Sequence, residues 1–596
     1  MSNQNRTFSG GVIDRNKTIN FIFNGKKYKG FQGDTLASAL LANDVHLVGR
    51  SFKYHRPRGI LTAGSEEPNA LIQLGIGART EPNIRATEIE LYEGLEAESQ
   101  NCWPSVDFDI GEANNLLSRL FPAGFYYKTF KWPPSFWLFY EHFIRKAAGL
   151  GESPKAKNPD RYEQRFHYCD VMIVGGGVSG LTAALAAARA KCDVLLVDEN
   201  PYFGGYLSDS SASINGKNIS DWIRIVIDEL KSYENVKLLK RTSAMGYYDY
   251  NYITALEKVT NHHHELSKTL PRERYWRIRA SKIILAQGAF ERPLVFADND
   301  RPGIMMASAG KKYLCRYGVL PGKSVVLFTN NDHAYLSAFE FANKGAKVTI
   351  VDSRNETSET VMHKCAELKI EIHLSHSIIS TFGQKKVNAI EIQKTEDQGN
   401  KLIGSSRKID VDLLLMSGGW NPAVQLFSQS RGKLKYDHNI NSFVPDKIIQ
   451  DQKIIGCNNG NFDLSSNLKN GFESGVEVAR ELGKETDIEN PNFVGDETIP
   501  FVSVKVEPYM IGKKGITKGS KHFVDFQNDV TAADIFLAQR EGYISVEHTK
   551  RYTTTGMGTD QGKTSNVNAL ALMSHIHKKP VDEIGHTTFR PPFSPQ

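Results

Sequence analysis

The feature that most constrains this chain is a glycine-rich turn between an apolar strand and an Ala-rich helix. The segment DVMIVGGGVSGLTAALAAARAKCDVLLVDEN carries Gly175, Gly177 and Gly180 with the spacing G-x-G-x-x-G, and a second apolar strand follows. The first glycine permits a tight turn, the second lets backbone approach a pyrophosphate, and the third allows close packing of helix on strand. The helix N-terminus then faces the phosphates. The spacing therefore predicts a dinucleotide-binding βαβ unit.

The second strand of this unit ends in acidic residues, at the position where a carboxylate is expected to bind the ribose of a dinucleotide. Asp198 directly follows VLLV and is the predicted ligand of the ribose hydroxyls, with Glu199 as its neighbour. The turn GCNNGNFDLSS is expected to close the same site from a later strand. The other predicted contacts in this site are Val178, Ser179, Gly204, Gly205, Gly288, Asn459, Leu464 and Ser466.

The strand–turn–helix plan recurs more faintly at residues 323–353, KSVVLFTNNDHAYLSAFEFANKGAKVTIVDS. The turn here reads TNNDHA, where a working fingerprint has glycines. Side chains in that turn block the close approach that a pyrophosphate needs. The second repeat is therefore predicted to keep the dinucleotide fold without a ligand.

Composition excludes several classes of protein. The chain has 596 residues, enough for about four domains. Its 73 Lys and Arg against 67 Asp and Glu leave a net charge of +6, too thinly spread to indicate nucleic-acid binding. Six cysteines form no CxxC pair, so disulfides, iron and stoichiometric zinc are not expected, and a reducing cytoplasm fits. With no apolar run of about 20 residues and no signal-peptide pattern, neither a membrane nor secretion is expected.

The loop KRYTTTGMGTDQGKTSN near the C-terminus resembles a Walker phosphate-binding loop but departs from it. The Walker pattern requires a glycine where Met557 stands, so a nucleotide triphosphatase is disfavoured. Two interpretations stay open: an anion-binding loop, or a helix-connecting turn at a subunit contact. The groups available to an anion are Lys550, Arg551, Thr553, Thr554, Lys563 and Thr564.

Two histidine-containing stretches invite a ligand interpretation that a simpler one outweighs. His262, His263 and His264 precede Glu265 in a polar stretch between two strand-like segments, which favours a solvated hairpin tip over a metal site. His55 lies in the basic turn RSFKYHRPRG, which favours a surface turn salt-bridged to the next domain over an anion site. The aromatic, Pro-interrupted stretch 101–165 is predicted to wrap over other domains.

Taken in order, the strings RSFKYHRPRGI, GGGVSGL, GAFERP, RPGIM, FVDFQNDVTAADI and KRYTTTGMGTDQGKTSN resemble the alpha subunit of heterotetrameric sarcosine oxidase over nearly the whole chain. The resemblance implies an α/β fold with a glutathione-reductase-like core of two dinucleotide-binding domains. It also implies NAD at the first site and FMN shared with the beta subunit, which itself carries FAD. The partners implied are beta, gamma and delta subunits.

The implied reaction is the oxidative demethylation of sarcosine to glycine, with hydrogen peroxide and formaldehyde or methylene-tetrahydrofolate as the other products. The redox work belongs largely to the beta subunit, so no catalytic residue is expected in this chain. In the family, a C-terminal domain similar to the aminomethyltransferase of glycine cleavage binds tetrahydrofolate. This chain stops where that domain is expected, so a separate folate-binding polypeptide is one possible partner.

The resemblance also gives the expected domains. Two of them resemble cluster-binding domains but lack the cysteines that would bind a cluster. In the first, ILTAGSEEPNALIQLG follows the HRPRG turn without a Cys; in the second, the region near VDFQNDVT resembles a bacterioferritin-associated-ferredoxin-like domain without its cysteines. The expected domains are a β-grasp ferredoxin-like domain (1–100), an aromatic linker (101–165), an NAD-binding Rossmann-like domain (166–305 and 405–490), a degenerate dinucleotide fold (306–404), a helical domain (491–585) and a linker (586–596).

Three alternatives stay open at the level of sequence. The first is the matching subunit of N-methylglutamate dehydrogenase, which shares the architecture and whose amine is likewise oxidised in another chain. The second is a non-catalytic scaffold whose dinucleotide is purely structural. The third is a free-standing oxidoreductase that binds FAD at the first site, as generic members of the fold do.

Overall fold

The chain folds into two units, each assembled from separate stretches of sequence. The computed structural model describes residues 4–125, 133–147, 149, 151, 153–264, 267–396, 401–489, 491–496 and 520–593. The first unit comprises residues 1–159, 291–419 and 504–587, and the second comprises residues 160–290, 420–503 and 588–596. The chain thus leaves the unit that holds the G-x-G-x-x-G turn at residue 290 and returns to it at 420.

The first unit begins with a five-stranded sheet of the expected β-grasp type. Its first hairpin turns at Asn24 and Gly25, both with positive φ, which suits a tight turn between twisted strands. The short helix Leu36–Ala42 is capped by Thr35, and the carboxylate of the preceding residue, Asp34, accepts from the Ser38 hydroxyl at 2.7 Å. In sheet order the strands are Lys26–Gln32, Asp14–Phe23, Leu95–Ser99, Leu71–Leu74 and Glu81–Arg85.

The second repeat, also in the first unit, has the predicted dinucleotide fold. Its sheet is wholly parallel, and apart from the edge strand Glu371–Leu374 the short strands are mostly buried, as expected for a sheet covered on both faces. In sheet order the strands are Ile304–Met306, Leu413–Ser417, Ser324–Thr329, Lys347–Asp352 and Glu371–Leu374. The helices are Ala307–Cys315, Tyr335–Asn343 and Glu359–Glu367, and an antiparallel sheet follows with strands His376–Phe382, Ala389–Glu396 and Lys401–Asp410.

The C-terminal part of the first unit is helical, as predicted. A two-stranded ribbon, Phe523–Asp525 with Val530–Thr531, precedes the helices and shares a core with them. Residues 497–519, which precede the ribbon, lie outside the described residues. The helices are Ala532–Arg540, Val546–Thr553, Asn566–His577 and Val581–Ile584.

A buried network of charges joins these three parts of the first unit. Arg56, in the basic turn of the β-grasp domain, bonds to Asp300 at 2.7 Å and Asp298 at 2.9 Å. Arg58 bonds to both Asp300 and Asp529 and is 1% exposed. Burial raises the pKa of Asp300, but the charges of the two arginines outweigh it and lower that pKa to about 2. The predicted salt-bridged turn is therefore confirmed, although it is buried rather than superficial.

The aromatic linker exposes more apolar surface than predicted. Trp103 and Phe108 are each 68% exposed, and Leu138 and Phe139 project from the helix Trp137–Ala147. The prediction that this stretch wraps over other domains implies buried aromatic side chains, and these side chains are exposed. Part of the aromatic run, residues 126–132, lies outside the described residues.

The second unit is built on one long sheet that changes character along its length. Near the G-x-G-x-x-G turn its strands are parallel and buried, and further out three of them continue as an antiparallel meander. In sheet order the strands are Val236–Leu239, Val194–Val197, Tyr162–Val174, Glu273–Leu285, Tyr252–Lys258 and Thr242–Tyr248, with Gln452–Ile454 also paired to Glu273–Leu285. The helices are Val178–Arg189, Ile219–Lys231, Gln425–Gln429 and Leu464–Glu481, and the small strands are Ser213–Ile214, Lys217–Asn218, Lys433–Asp437, Ser442–Lys447 and Gly495–Asp496.

Two glycines let the last long helix pack directly on the helix that opens at the turn. A Cβ at Gly471 would overlap Thr182 and the backbone of Ser179, and a Cβ at Gly475 would lie 2.5 Å from the carbonyl oxygen of Ala183. The helix Leu464–Glu481 therefore lies close against Val178–Arg189 and fixes its position behind the turn.

Candidate functional site

The first and third glycines of the turn are required by the protein's own packing. Gly175 has φ of +105°, a conformation that only glycine adopts without strain, and a Cβ there would overlap the carbonyl oxygen of Ala286. A Cβ at Gly180 would overlap the carbonyl oxygen of Gly175. These two positions serve the tight turn and the close helix–strand contact that the sequence predicts.

The middle glycine differs, because no protein atom needs it to be small. A Cβ on Gly177 would meet no described atom within 4 Å, and its φ of −69° is open to any residue. Gly177 is also the N-cap of the helix Val178–Arg189, and no side chain caps that helix. The first-turn N–H groups of a helix lack intrahelical partners and favour an anion. Space beside Gly177 together with an uncapped helix start fits a pyrophosphate.

Asp198 lies at the end of the strand Val194–Val197 with its carboxylate fixed by neighbouring groups. One oxygen accepts from the backbone N–H of Gly176 at 2.8 Å. The other accepts from the backbone N–H of Asn200 at 2.8 Å and from its side-chain amide at 3.0 Å. Asp198 is buried and Glu199 is exposed. The carboxylate is thereby held against the glycine turn, in the place predicted for a ribose ligand.

The structure brings three of the other predicted glycines to this turn or to the strand end beside it. The N–H of Gly204 donates to the carbonyl of Gly176 at 2.8 Å, and a Cβ on Gly205 would lie 3.1 Å from the Cα of Gly177. Gly288 follows the strand Glu273–Leu285, whose last residue pairs with Val174, and a Cβ there would meet nothing within 4 Å. These glycines leave backbone rather than side chains around the turn.

The later turn approaches the same helix start, but its predicted residues differ in placement. A Cβ on Gly456 would lie 2.7 Å from the hydroxyl oxygen of Ser179, so this turn contacts the start of the helix. Asn459 is exposed, while Leu464 belongs to the apolar core with Val178. The backbone N–H of Ser466 donates at 2.7 Å to the side chain of Asp463, which caps the helix Leu464–Glu481. Gly456 is thus the part of this turn nearest the site.

In the second repeat, side chains fill the turn that corresponds to the glycine turn. The carboxamide of Asn331 accepts from the N–H of Ala334 at 3.1 Å and caps the turn. Arg354 donates at 2.7 Å to both Asp332 in the turn and Asp352 at the end of the next strand. The Tyr335 hydroxyl also donates to Asp352, at 2.8 Å. An acid that could hold a ribose is therefore tied to the turn by the protein's own arginine.

The C-terminal loop does not gather its predicted anion ligands on one surface. Lys563 is 3% exposed, and its ammonium donates to the carbonyl of Ser65 at 3.1 Å. The Thr553 hydroxyl donates to the carbonyl of Thr549 at 2.7 Å, and Thr564 is buried. Arg551 and Thr554 are exposed, and Lys550 is half-buried. The prediction that Lys563 faces a ligand anion is wrong for this structure, because the side chain points into the protein.

The remaining titratable groups of that loop are also internal. Asp560 is 1% exposed, and burial together with the nearby charge of Asp525 raises its pKa.

The histidines His262, His263 and His264 lie in the loop between the strands Tyr252–Lys258 and Glu273–Leu285, as predicted for a hairpin tip, and Glu265 lies outside the described residues. Within the described ranges, no group of three or more His, Cys, Asp or Glu is arranged to hold a metal ion.

Sequence reasoning missed two residues that shape these turns. Asn200 supplies two of the hydrogen bonds that fix Asp198, and its position two residues after the acid in VDEN was the available signal. Arg354 closes the second turn, and it stands just after the acid of VDSR. In both repeats the residue that binds the carboxylate at the end of the second strand lies two positions after it.

Three family models match separate parts of the chain. A pyridine nucleotide–disulphide oxidoreductase domain matches residues 169–450, a 2Fe-2S iron–sulfur cluster binding domain matches 16–102, and a sarcosine oxidase A3 domain matches 519–596. These matches confirm the predicted fold class and, at the level of the matched domain, the prediction of an oxidoreductase. They also support a flavin or pyridine dinucleotide cofactor for residues 169–450.

Curated relatives match along almost the whole chain. Sarcosine oxidase subunit alpha of Rhizobium meliloti (strain 1021) is 46% identical over 98% of this chain, and that of Corynebacterium sp. (strain U-96) is 34% identical over 98%. The chain is related to the sarcosine oxidase alpha subunits. The predicted resemblance is thereby confirmed. The chain spans 58% and 56% of the lengths of these two alpha subunits.

A solved structure supports the fold over the full length. L-proline dehydrogenase from P. horikoshii superposes with a TM-score of 0.65 at 17% identity, covering 100% of this chain and 98% of that one.

The region matched to the iron–sulfur domain contains a single cysteine, Cys102. A 2Fe-2S cluster needs four ligands, commonly thiolates, so the residues present do not fit a cluster. Among the described helices, none has the length and apolarity that crossing a bilayer demands.

Proposed function

We propose that this chain is the NAD-binding subunit of a complex that oxidatively demethylates sarcosine to glycine. In this proposal hydrogen peroxide forms together with formaldehyde or methylene-tetrahydrofolate, and the amine is oxidised in a beta subunit that carries FAD. The other partners are gamma and delta subunits. The relationship to alpha subunits supports the assignment to such a complex, and the glycine turn supports the dinucleotide.

The observation that carries the proposal is the open space at Gly177. The two flanking glycines are needed by the protein's own packing, whereas Gly177 has no described neighbour that requires it. A ligand explains why this position is bare. The backbone of Gly177 and the first N–H groups of the helix, at Val178 and Ser179, would hold the pyrophosphate, and Asp198 would hold the ribose. Bound NAD would supply a nicotinamide capable of hydride transfer.

The choice of NAD over FAD rests on the resemblance, since both share the adenosine diphosphate that the turn would hold. The decisive experiment is Gly177→Val in the purified chain, with bound NAD released by acid and measured enzymatically. NAD is expected to fall from near one per chain to less than a tenth, because the branched side chain fills the approach path. Wild-type protein stripped of NAD should lose thermal stability, since a ligand that binds only the native state stabilises it.

The matched control is Gly216→Asn, at a turn of the same unit where a Cβ also meets nothing within 4 Å. Asparagine tolerates the positive φ of that turn, so NAD content should stay at the wild-type level. A Gly177→Val protein that keeps its full NAD content would refute the site. Flavin absorbance in the isolated wild-type chain would instead favour the free-standing FAD oxidoreductase.

The proposal includes FMN held between this chain and the beta subunit near residues 550–565. Arg551 is exposed and available to a phosphate; Thr554 is exposed with its hydroxyl donating to the carbonyl of Thr553, and Lys563 is buried. Arg551→Met should therefore lower the FMN content of the assembled complex. Lys563→Met should lower the stability of the chain and leave FMN per assembled complex unchanged. Equal FMN in the complexes of wild type and Arg551→Met would count against this location.

Substrate choice separates the proposal from its nearest rivals. Turnover of the assembled complex with N-methylglutamate but not sarcosine, without peroxide, would favour the dehydrogenase. Unchanged turnover in complexes that have lost NAD through Gly177→Val would favour a scaffold whose dinucleotide is structural. Sarcosine-dependent peroxide release by the wild-type complex is the expected result.

A further inference from the structure

The outer part of the long sheet in the second unit has one face buried and one face exposed. In its register Arg277 lies opposite Phe166, and Arg279 lies opposite Tyr168 and Tyr252. The side chains of the intervening positions, including Trp276 and Ile278, point to the other face and are buried in the core. Alternation along the strands therefore places arginines and aromatic rings together on the exposed side. This aromatic–arginine face consists of Phe166, Tyr168, Tyr248, Tyr252, Arg277 and Arg279.

The rings of this face are exposed to a degree unusual for aromatic side chains. Phe166 is 66% exposed and Tyr168 is 71% exposed, and Tyr250 in the adjoining turn is 83% exposed. Complete coverage of these three and of Tyr248 would bury on the order of 500 Å². One side of a standard protein interface buries about 800 Å², so the face is large enough to form the centre of one.

The two arginines are positioned by the rings rather than by acidic side chains. The guanidinium carbon of Arg277 lies 5.4 Å from the ring centre of Phe166, and that of Arg279 lies 5.2 Å from the ring centre of Tyr252. Arg279 also donates to the carbonyl of Tyr250 at 3.1 Å. In the described part of the chain, neither arginine forms an ion pair with a carboxylate. The face therefore presents two stacked, uncompensated positive charges.

We infer that the aromatic–arginine face docks an acidic, partly apolar surface of a partner subunit; this rests on the proposed function, which makes the chain one subunit of a complex. Tyrosine and arginine are enriched at the centres of protein interfaces, where the rings bury area and the guanidinium pairs with a carboxylate. Carboxylates on the partner would supply the charges that Arg277 and Arg279 lack. A nucleic acid is disfavoured, because only two arginines lie on the face and the chain carries a net charge of only +6.

The experiment uses the full chain co-expressed with the beta, gamma and delta subunits. Sedimentation measures the dissociation constant of this chain from the other three subunits. One variant combines Arg277→Glu with Arg279→Glu, and another combines Phe166→Ser with Tyr168→Ser. Both should raise the dissociation constant at least about 100-fold without lowering NAD content. Arg277→Lys, which keeps the charge and loses the planar stack, should give a smaller rise of about 10-fold.

The matched control combines Arg224→Glu with Arg480→Glu, two arginines exposed on helices of the same unit, and its dissociation constant should equal that of the wild type. Wild-type affinity in both face variants would overturn the inference and leave the proposed function standing. A wild-type chain that fails to join the other subunits would overturn both. Folding is checked by the thermal midpoint, and the milder Phe166→Ser alone replaces a variant that unfolds.

Other occupants of the face give distinct outcomes, each of which would overturn the inference. Self-association of the isolated wild-type chain that the charge reversal abolishes would indicate a second copy. Cosedimentation with phosphatidylserine vesicles, lost in the Arg277→Glu and Arg279→Glu variant, would indicate a membrane surface. Arginine-dependent binding of a single-stranded RNA oligonucleotide would indicate a nucleic acid.

Discussion

In the first strand–turn–helix repeat the turn after Val174 is bare backbone, whereas in the second repeat side chains occupy the turn after Thr329. Both turns connect a buried parallel strand to a helix. In the first, Asp198 is held by backbone N–H groups and Asn200, and a Cβ on Gly177 would meet no described atom within 4 Å. In the second, Arg354 ties Asp352 to the turn. The same strand–turn–helix framework can thus leave space for a ligand at the turn or fill that space with the protein's own side chains. The residues of the turn determine which.

The largest effect is expected from removing the arginine that closes the second turn. Arg354→Met leaves Asp332 and Asp352 without their shared cation and should lower the free energy of unfolding by about 3–5 kcal/mol. Chemical denaturation at pH 7 measures the loss, with Arg354→Lys as the partial-rescue control. A loss below 1 kcal/mol would mean that the turn is not held by this ion pair.

The pH dependence of that loss follows from the pKa of Asp332. Burial raises this pKa, but hydrogen bonds from Ser358 and Thr357 and the charge of Arg354 outweigh it, so the net pKa is lowered. A lowered pKa contributes stability above the unfolded value and loses it as the pH falls. The difference between wild type and Arg354→Met should therefore shrink below about pH 4, the ordinary range of an aspartate.

The next effect separates the glycines of the first turn. Gly180→Ala should destabilise the chain by about 2–3 kcal/mol, because the new methyl overlaps the carbonyl of Gly175. Gly177→Ala should change the stability of NAD-free protein by less than about 1 kcal/mol, because it meets no described atom. Thermal unfolding of the two variants side by side tests the contrast. Equal destabilisation would contradict the assignment of packing to one glycine and ligand space to the other.

A smaller effect is expected from Glu291, which is buried at the edge of the second repeat. Its carboxylate accepts from the N–H and hydroxyl of Ser308 at 2.8 and 2.6 Å, yet burial dominates and raises its pKa to about 7. The folded chain thus holds a proton that the unfolded chain releases, so stability falls as pH rises between about 4.5 and 7. Glu291→Gln should flatten this fall and stabilise the chain by roughly 2 kcal/mol at pH 8. Parallel stability–pH curves for the two proteins would be inconsistent with a protonated Glu291.

The smallest effect concerns the acid of the first repeat. Asn200→Ala removes one hydrogen bond to Asp198 and leaves in place the bonds from the backbone N–H groups of Gly176 and Asn200. NAD affinity should fall about fivefold, which corresponds to about 1 kcal/mol, the usual worth of one hydrogen bond. Calorimetric titration of NAD-free protein measures the change, and Glu199→Gln, at an exposed neighbour, is the control expected to bind normally.

Local patterns were sufficient to predict the framework of both repeats. Glycine spacing after a buried strand predicted the first turn, and TNNDHA predicted that the second would be closed, because the presence or absence of side chains within a turn can be read from the turn itself. The burial of Lys563 could not be predicted in the same way. Its partner, the carbonyl of Ser65, lies almost 500 residues away in the sequence. A charged loop looks the same in sequence whether its lysine faces solvent or a distant carbonyl.

The prediction for the aromatic linker was wrong for a related reason. Its composition indicated burial, yet Trp103 and Phe108 are largely exposed. Composition reports how much apolar surface a stretch carries, but the element that covers it need not belong to the same chain. The aromatic–arginine face escaped prediction as well, because it depends on the register between the strand Tyr162–Val174 and a hairpin that lies far from it in sequence.

The pairing of Arg58 with Asp529 has a consequence for synthesis on the ribosome. The two residues are separated by 471 positions, and at ~5–20 residues per second the aspartate emerges ~25–95 s after the arginine. During that interval the basic turn of the β-grasp domain has no access to one of the carboxylates that neutralise it. Chains interrupted between Asp300 and Asp529 therefore have only one of the two carboxylates that neutralise Arg58 when it is buried.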